Sequence, residues 1–101
     1  MSIADAIDEV AARYPDIPVT VVIAARALMD AVVTAPDAVQ RGYNPTLILI
    51  WSAHAIQVEV TPKNFEFYGL GPSLDIRHFP HDGGTVLSAD LLTVLPKPTI
   101  N

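Results

Sequence analysis

The chain has 101 residues, 50% of them hydrophobic and 17% charged, which is the size of one domain with enough apolar surface for a core of its own. It has no cysteine, and this excludes a disulfide framework, a thiolate metal centre and a cysteine nucleophile. Eleven acidic residues against six basic ones give a formal charge of −5, and Arg13, Arg26, Arg41, Lys63, Arg77 and Lys97 are scattered with no two adjacent. A groove that tracks phosphates needs clustered cations, so direct nucleic-acid binding is not expected; an acidic protein of this kind meets a basic partner, or is kept soluble by its charge.

Residues 2–13 read as an amphipathic helix: Ser2 can cap it, Asp5 and Asp8 suit the positive end of the dipole, and Ile3, Ile7 and Val10 share a stripe. The segment lacks the basic start of a secretory signal, so the expected location is the cytoplasm. Tyr14-Pro15-Asp16 ends this helix, and a second is expected with Asp16 as cap and Pro18 in its first turn, running to about Val33. It is apolar almost all round, with Arg26, Asp30 and Thr34 on one i, i+4 ladder, so it must be covered on more than one side, by a sheet and the first helix or by a dimer seam. Its apolar run holds Arg26 and Asp30 and falls short of the ~20 residues that span a bilayer, so no membrane anchor is expected.

Thr34 to Asn44 reads as a connector with room for a helical turn at residues 36–41. The period then changes. Residues 46–51, 56–61, 64–70 and 74–79 are short β-rich runs separated by turn residues, the pattern of an antiparallel meander, and Ser88 to Leu95 reads as a short helix before Pro96. The expected fold is α+β and a single domain: two N-terminal helices packed on one face of a four-stranded antiparallel meander, with a short C-terminal helix.

The turn Thr61-Pro62-Lys63-Asn64 places Val60 opposite Phe65, and the remaining register follows by counting. Leu47, Leu49 and Trp51 then face Val60, Val58 and Ile56. A tight type II′ turn at Gly71-Pro72 would set Gly69, Phe67 and Phe65 opposite Leu74, Ile76 and His78. The expected inner face is Leu47, Leu49, Trp51, Ile56, Val58, Val60, Phe65, Phe67, Leu74 and Ile76. Ile48, Ile50, Gln57, Glu59, Glu66, Tyr68, Asp75 and Arg77 are left for the outer face. Glu59 falls opposite Glu66, a like-charge pair that disfavours folding by a few tenths to about 1 kcal/mol, offset in part by Arg77 opposite Glu66. Two isoleucines and a tyrosine among carboxylates compose an apolar patch with an acidic rim, suited to docking a protein.

Residues that could carry chemistry are few. His78, His81 and Asp82 are candidate metal ligands by residue type, but Pro80 and Gly83-Gly84 make the segment a strand ending in a turn, with His78 inward beside Phe65 and His81 past the strand end. Ser52, Ser73 and Ser88 sit at turns or a cap, outside any nucleophile elbow, and Glu59 with Glu66 on an open face would be screened by water. Gly69-Leu70-Gly71 and Gly83-Gly84 lack the partners of a nucleotide loop. Phe65 and Phe67 face the core, and only Lys63 and Arg77 are basic nearby, so the aromatic cluster is no base-stacking platform. No catalytic residue and no cofactor is assigned.

From Asn44 to Gly71 the string NPTLILIWSAHAIQVEVTPKNFEFYGLG resembles a hairpin recurring in small bacterial and phage proteins: an apolar strand ending in Trp, then Ile-x-Val-Glu-Val-x-Pro, then Glu-Phe-Tyr. Some small acidic proteins of that kind are antitoxins, toxin-immunity proteins or anti-CRISPR inhibitors. The resemblance covers about a quarter of the chain and names a shape, not an activity; the expected function is a non-enzymatic interaction protein that inhibits or neutralises a partner. Added to the register, the expected contact residues are Ile48, Ile50, Glu59, Glu66, Tyr68 and Asp75, and the expected partner is a basic, nucleic-acid-handling protein. Two alternatives stand beside it: a homodimer through the second helix and the outer isoleucines, and a metal or small ligand held by the His78–Asp82 loop.

Overall fold

The computed structural model describes residues 3–42, 45–72, 74–81 and 89–96. Helices α1 (Ile3–Arg13) and α2 (Val19–Ala31) precede a five-stranded antiparallel sheet, and a short helix α3 (Ala89–Val94) follows it. The strands β1 (Ala38–Arg41), β2 (Leu47–Trp51), β3 (Ile56–Val60), β4 (Asn64–Gly69) and β5 (Asp75–Pro80) pair in chain order as a meander. The α+β class, the two N-terminal helices and the C-terminal helix are as expected; the sheet has five strands, where the sequence predicts four.

The added strand is β1, which replaces the expected helical turn at 36–41. Alone, Ala-Val-Gln-Arg has weak β-propensity, with one β-branched residue. Its strand state is imposed by neighbours: Asp37 N–H donates to Ile50 O at 2.8 Å, Gly42 N–H to Thr46 O at 2.9 Å, and Ala38 to Arg41 pair with Ile50 to Leu47 between them. Arg41 secures the strand to the helical layer, its guanidinium lying over the Tyr14 ring and bonding Asp16 at 2.5 Å. Asp16 therefore does not cap α2, which starts after an extended Pro18 with no side-chain cap. Arg26 likewise reaches across to Asp8 on α1 rather than along its own helix to Asp30.

The β2–β3–β4 register is the expected one, with Leu47, Leu49 and Trp51 opposite Val60, Val58 and Ile56, and Val60 and Val58 opposite Phe65 and Phe67. The β3–β4 turn is held by Thr61, whose hydroxyl oxygen accepts N–H bonds from Lys63 at 3.2 Å and Asn64 at 2.9 Å. Between β2 and β3 a 3₁₀ turn, Ser52–His54, closes on Ala55 in the left-handed region at φ 53°. Trp51 lies under this turn and donates its indole N–H to Thr34 O at 2.8 Å. Ile7 of α1, Val21, Ala24, Ala25 and Leu28 of α2, and Leu91 and Leu95 at α3 complete the core on this side of the sheet.

The fourth expected strand is present but slipped by one residue. Gly69 pairs with Asp75, Phe67 with Arg77, Glu66 with His78 and Phe65 with Phe79. Five residues separate the paired ends instead of four, and because side chains alternate, one residue of slip reverses the facing of the whole strand. Phe79, at 9% exposure, joins Phe65 in the core, while Ile76 at 48% and Leu74 at 64% are left outside. The gain is the burial of an aromatic side chain where the core is thick; toward the Gly69–Asp75 end the inner positions Asp75 and Arg77 are exposed, so apolar residues there would bury little.

This register predicts that Phe79→Ala destabilises the protein by about 3 kcal/mol, whereas Ile76→Ala costs under about 1 kcal/mol in urea unfolding. The reverse order would restore the one-residue-shifted ladder.

Candidate functional site

Alternation along five strands leaves one sheet face outside the helical layer. Its cross-strand rows are Ala38, Ile50, Gln57, Tyr68, Ile76 and Gln40, Ile48, Glu59, Glu66, His78. Of the residues expected there, Ile48, Ile50, Glu59, Glu66 and Tyr68 are brought together, all half-buried by their strand neighbours. Asp75 and Arg77 are not: the β5 slip turns both to the opposite face, where they bond each other at 3.1 Å. Ile76 and His78 take their places. The signal that could have found them was Phe79, too large an apolar residue to leave outside, followed by Pro80.

The like-charge pair Glu59 and Glu66 is real, and each carboxylate is held by a hydroxyl. Thr46 Oγ1 donates to Glu59 Oε2 at 2.5 Å, and Tyr68 O–H donates to Glu66 Oε2 at 2.8 Å. His78, not Arg77, stands opposite Glu66, with Nε2 3.7 Å from Oε1. Gly42 is what lets the Thr46–Glu59 bond form: a Cβ there would fall on the Thr46 hydroxyl and within 2.7 Å of Glu59 Oε2. The Tyr68 hydroxyl is pushed up to about 12 by burial first, then by its bond to Glu66 and by the charges of Glu66 and Glu59. Neither Thr46 nor Gly42 was singled out from the sequence, because their contribution depends on the two meeting beside Glu59 in the fold.

The arginines lie elsewhere. Arg13 bonds Glu9 at 3.3 Å, Arg26 bonds Asp8, Arg41 bonds Asp16 and Arg77 bonds Asp75. Among the described residues the outer face therefore carries two carboxylates and no lysine or arginine. Apolar surface runs beside them, from Ile48 and Ile50 to Tyr68 and Ile76. At the end of the sheet a hollow of about 190 Å³ adjoins it, lined by Ile50 and Gln57 of the outer face, Trp51 and Ile56 of the inner one, and Leu70.

Two other features are less suited to chemistry. A hollow of about 330 Å³ lies between residues 34–37 and Trp51–His54, and two bonds tie the polar groups on its two sides together. Trp51 bonds Thr34 O, and Asp37 accepts the Ser52 N–H at 2.7 Å, a bond that holds its carboxyl below the usual range. The histidines of the expected metal loop point apart: His78 lies on the outer face, not inward, while His81 packs on Phe65 at 4.9 Å between ring centroids with Nε2 2.6 Å from Thr61 O. Asp82 lies outside the described residues, and among those described no group of three His, Cys, Asp or Glu could hold a metal ion. No described helix is long and apolar enough to cross a membrane.

No protein-family model, no curated protein and no solved structure matches this chain.

The Tyr68 environment makes a pH prediction. An unfolded tyrosine titrates near 10, so a folded value of about 12 means that its contribution to stability is full below about pH 10 and is lost as pH rises through the folded value. Ultraviolet titration of phenolate absorbance is expected to show one tyrosine ionising late, and Tyr68→Phe to remove that step.

Proposed function

We propose that this chain is a non-enzymatic protein-binding module that docks on a basic protein partner through the outer sheet face, in the manner of a cytoplasmic inhibitor or neutralising protein. The observation that carries the reading is the separation of charge. Glu59 and Glu66 share a face with no described lysine or arginine, while four arginines are occupied by Glu9, Asp8, Asp16 and Asp75 away from it. A like-charge pair kept across a strand pair costs stability in the free protein, and a cationic partner would remove that cost. The hydroxyls of Thr46 and Tyr68 hold both carboxylates in place, which lowers the entropy lost on binding. Ile48, Ile50, Tyr68 and Ile76 supply the apolar area that such an interface needs at its centre.

The hairpin pattern of Asn44 to Gly71 resembles that of small bacterial and phage proteins, some acidic examples of which are antitoxins, immunity proteins or anti-CRISPR inhibitors, and a nucleic-acid-handling target would supply the basic surface. The same charges argue against two copies meeting outer face to outer face, because Glu59 and Glu66 of each would meet their counterparts.

The test is capture from source-cell lysate by the tagged wild-type protein and by Ile50→Lys and Glu66→Lys variants, with circular dichroism confirming that each is folded. The reading expects a basic protein that is released by about 0.5 M salt and is lost from both variants. A partner retained equally by wild type and both variants would exclude the outer face.

A further inference from the structure

The two edges of the sheet are treated differently. β1 is short and packed against α1, whereas among the described residues β5 is an edge, with side chains exposed from Leu74 to His78. An uncovered edge strand offers a row of backbone donors and acceptors to another strand. Which residues offer them follows from the ladder. His81 N–H donates to Lys63 O at 2.8 Å, so odd-numbered residues of β5 direct their backbone groups toward β4. Ile76 and His78 direct theirs outward, and Pro80, which has no N–H to offer, occupies the next outward position.

We propose that β5 is a homodimerisation edge, pairing antiparallel with β5 of a second copy about a two-fold axis at Ile76, so that two five-stranded sheets become one. This register satisfies two independent conditions. In hydrogen-bond phase, it sets Ile76 against Ile76 and His78 against Leu74, outward-facing positions against outward-facing positions. In charge, it sets Asp75 against Arg77 and Arg77 against Asp75, converting a within-strand ion pair into two cross-strand pairs. The neighbouring phase-matched registers fail on charge: one residue further in either direction, Arg77 would face Arg77 or Asp75 would face Asp75. Asp-Ile-Arg is thus self-complementary about its centre in an isologous contact. Pairing also sets the exposed Ile76 side chains of the two copies side by side and extends the outer row Tyr68–Ile76 across the axis. The outer sheet face stays available, so this association is separate from partner docking.

One short strand pair buries a small area, so the association belongs at the weak end, with a dissociation constant on the order of 100 µM. Sedimentation equilibrium from about 10 µM to about 1 mM brackets that value. Wild type is expected to rise from its 10.9 kDa chain mass toward twice that value. Asp75→Arg and Arg77→Asp should each weaken association by about tenfold or more, because each replaces two attractive pairs with two repulsive ones. The double swap should restore it, a result that general surface damage would not give. Asp75 and Arg77 side chains are 48% and 53% exposed, so the swaps leave the core intact. Ile76→Lys, which sets two cations on the axis, is an independent disruptor. A monomer across the whole range overturns the proposal, and so does self-association indifferent to all four variants, which would place the seam elsewhere.

Discussion

Leu47, Leu49, Val58, Val60, Phe65 and Phe67 form the block on which the rest of this structure depends. They lie on three adjacent strands, all face one way, and are all buried beneath the helices. Fully burying a side chain of this type stabilises by roughly 1.5–3 kcal/mol, and a slip of one residue between any two of these strands would turn a whole set outward. The block thereby fixes the register, and the register fixes what lies on the back of the sheet. Glu59 cannot avoid Glu66 without Val58 and Val60 leaving Phe67 and Phe65. The like-charge pair is a consequence of the core, and the Thr46 and Tyr68 hydroxyls are the local structure that accommodates it.

How much of this was legible in the sequence depended on the turns. Where the turn length was written in residue types, as at Thr61 to Asn64, counting placed every cross-strand pair of β2, β3 and β4. At residues 70–74 the Gly71-Pro72 pair suggested a tighter connection than the one formed, and that single residue moved Asp75 and Arg77 to the wrong face and His78 to the inside. β1 was missed for a different reason: its residues carry almost no strand preference, and it becomes a strand because β2 offers an edge and Arg41 can reach Asp16 and Tyr14. Five of the six expected contact residues fall together on the outer face. Ile76 and His78, which complete it, required knowing where Phe79 goes.

The two surfaces that the described residues leave uncovered differ in physical character. The outer face is a carboxylate pair held in place beside apolar side chains, with the described arginines paired elsewhere, and it suits a cationic partner of another kind. The β5 edge carries both signs of charge within three residues and complements itself. One register produces both, because the slip that buries Phe79 also brings Ile76 to the outer face and leaves Asp75 and Arg77 flanking it on the edge.

The central claim is that the back of the sheet is an open apolar and acidic surface. The most direct measurement is the relaxation enhancement of isoleucine δ-methyl signals by an inert, neutral paramagnetic chelate in solution. The account predicts strong enhancement at Ile76 and clear enhancement at Ile48 and Ile50, with Ile7 and Ile17 protected in the core. Ile48 and Ile50 as protected as Ile7 in the monomer would mean that the face is covered, and would contradict the account.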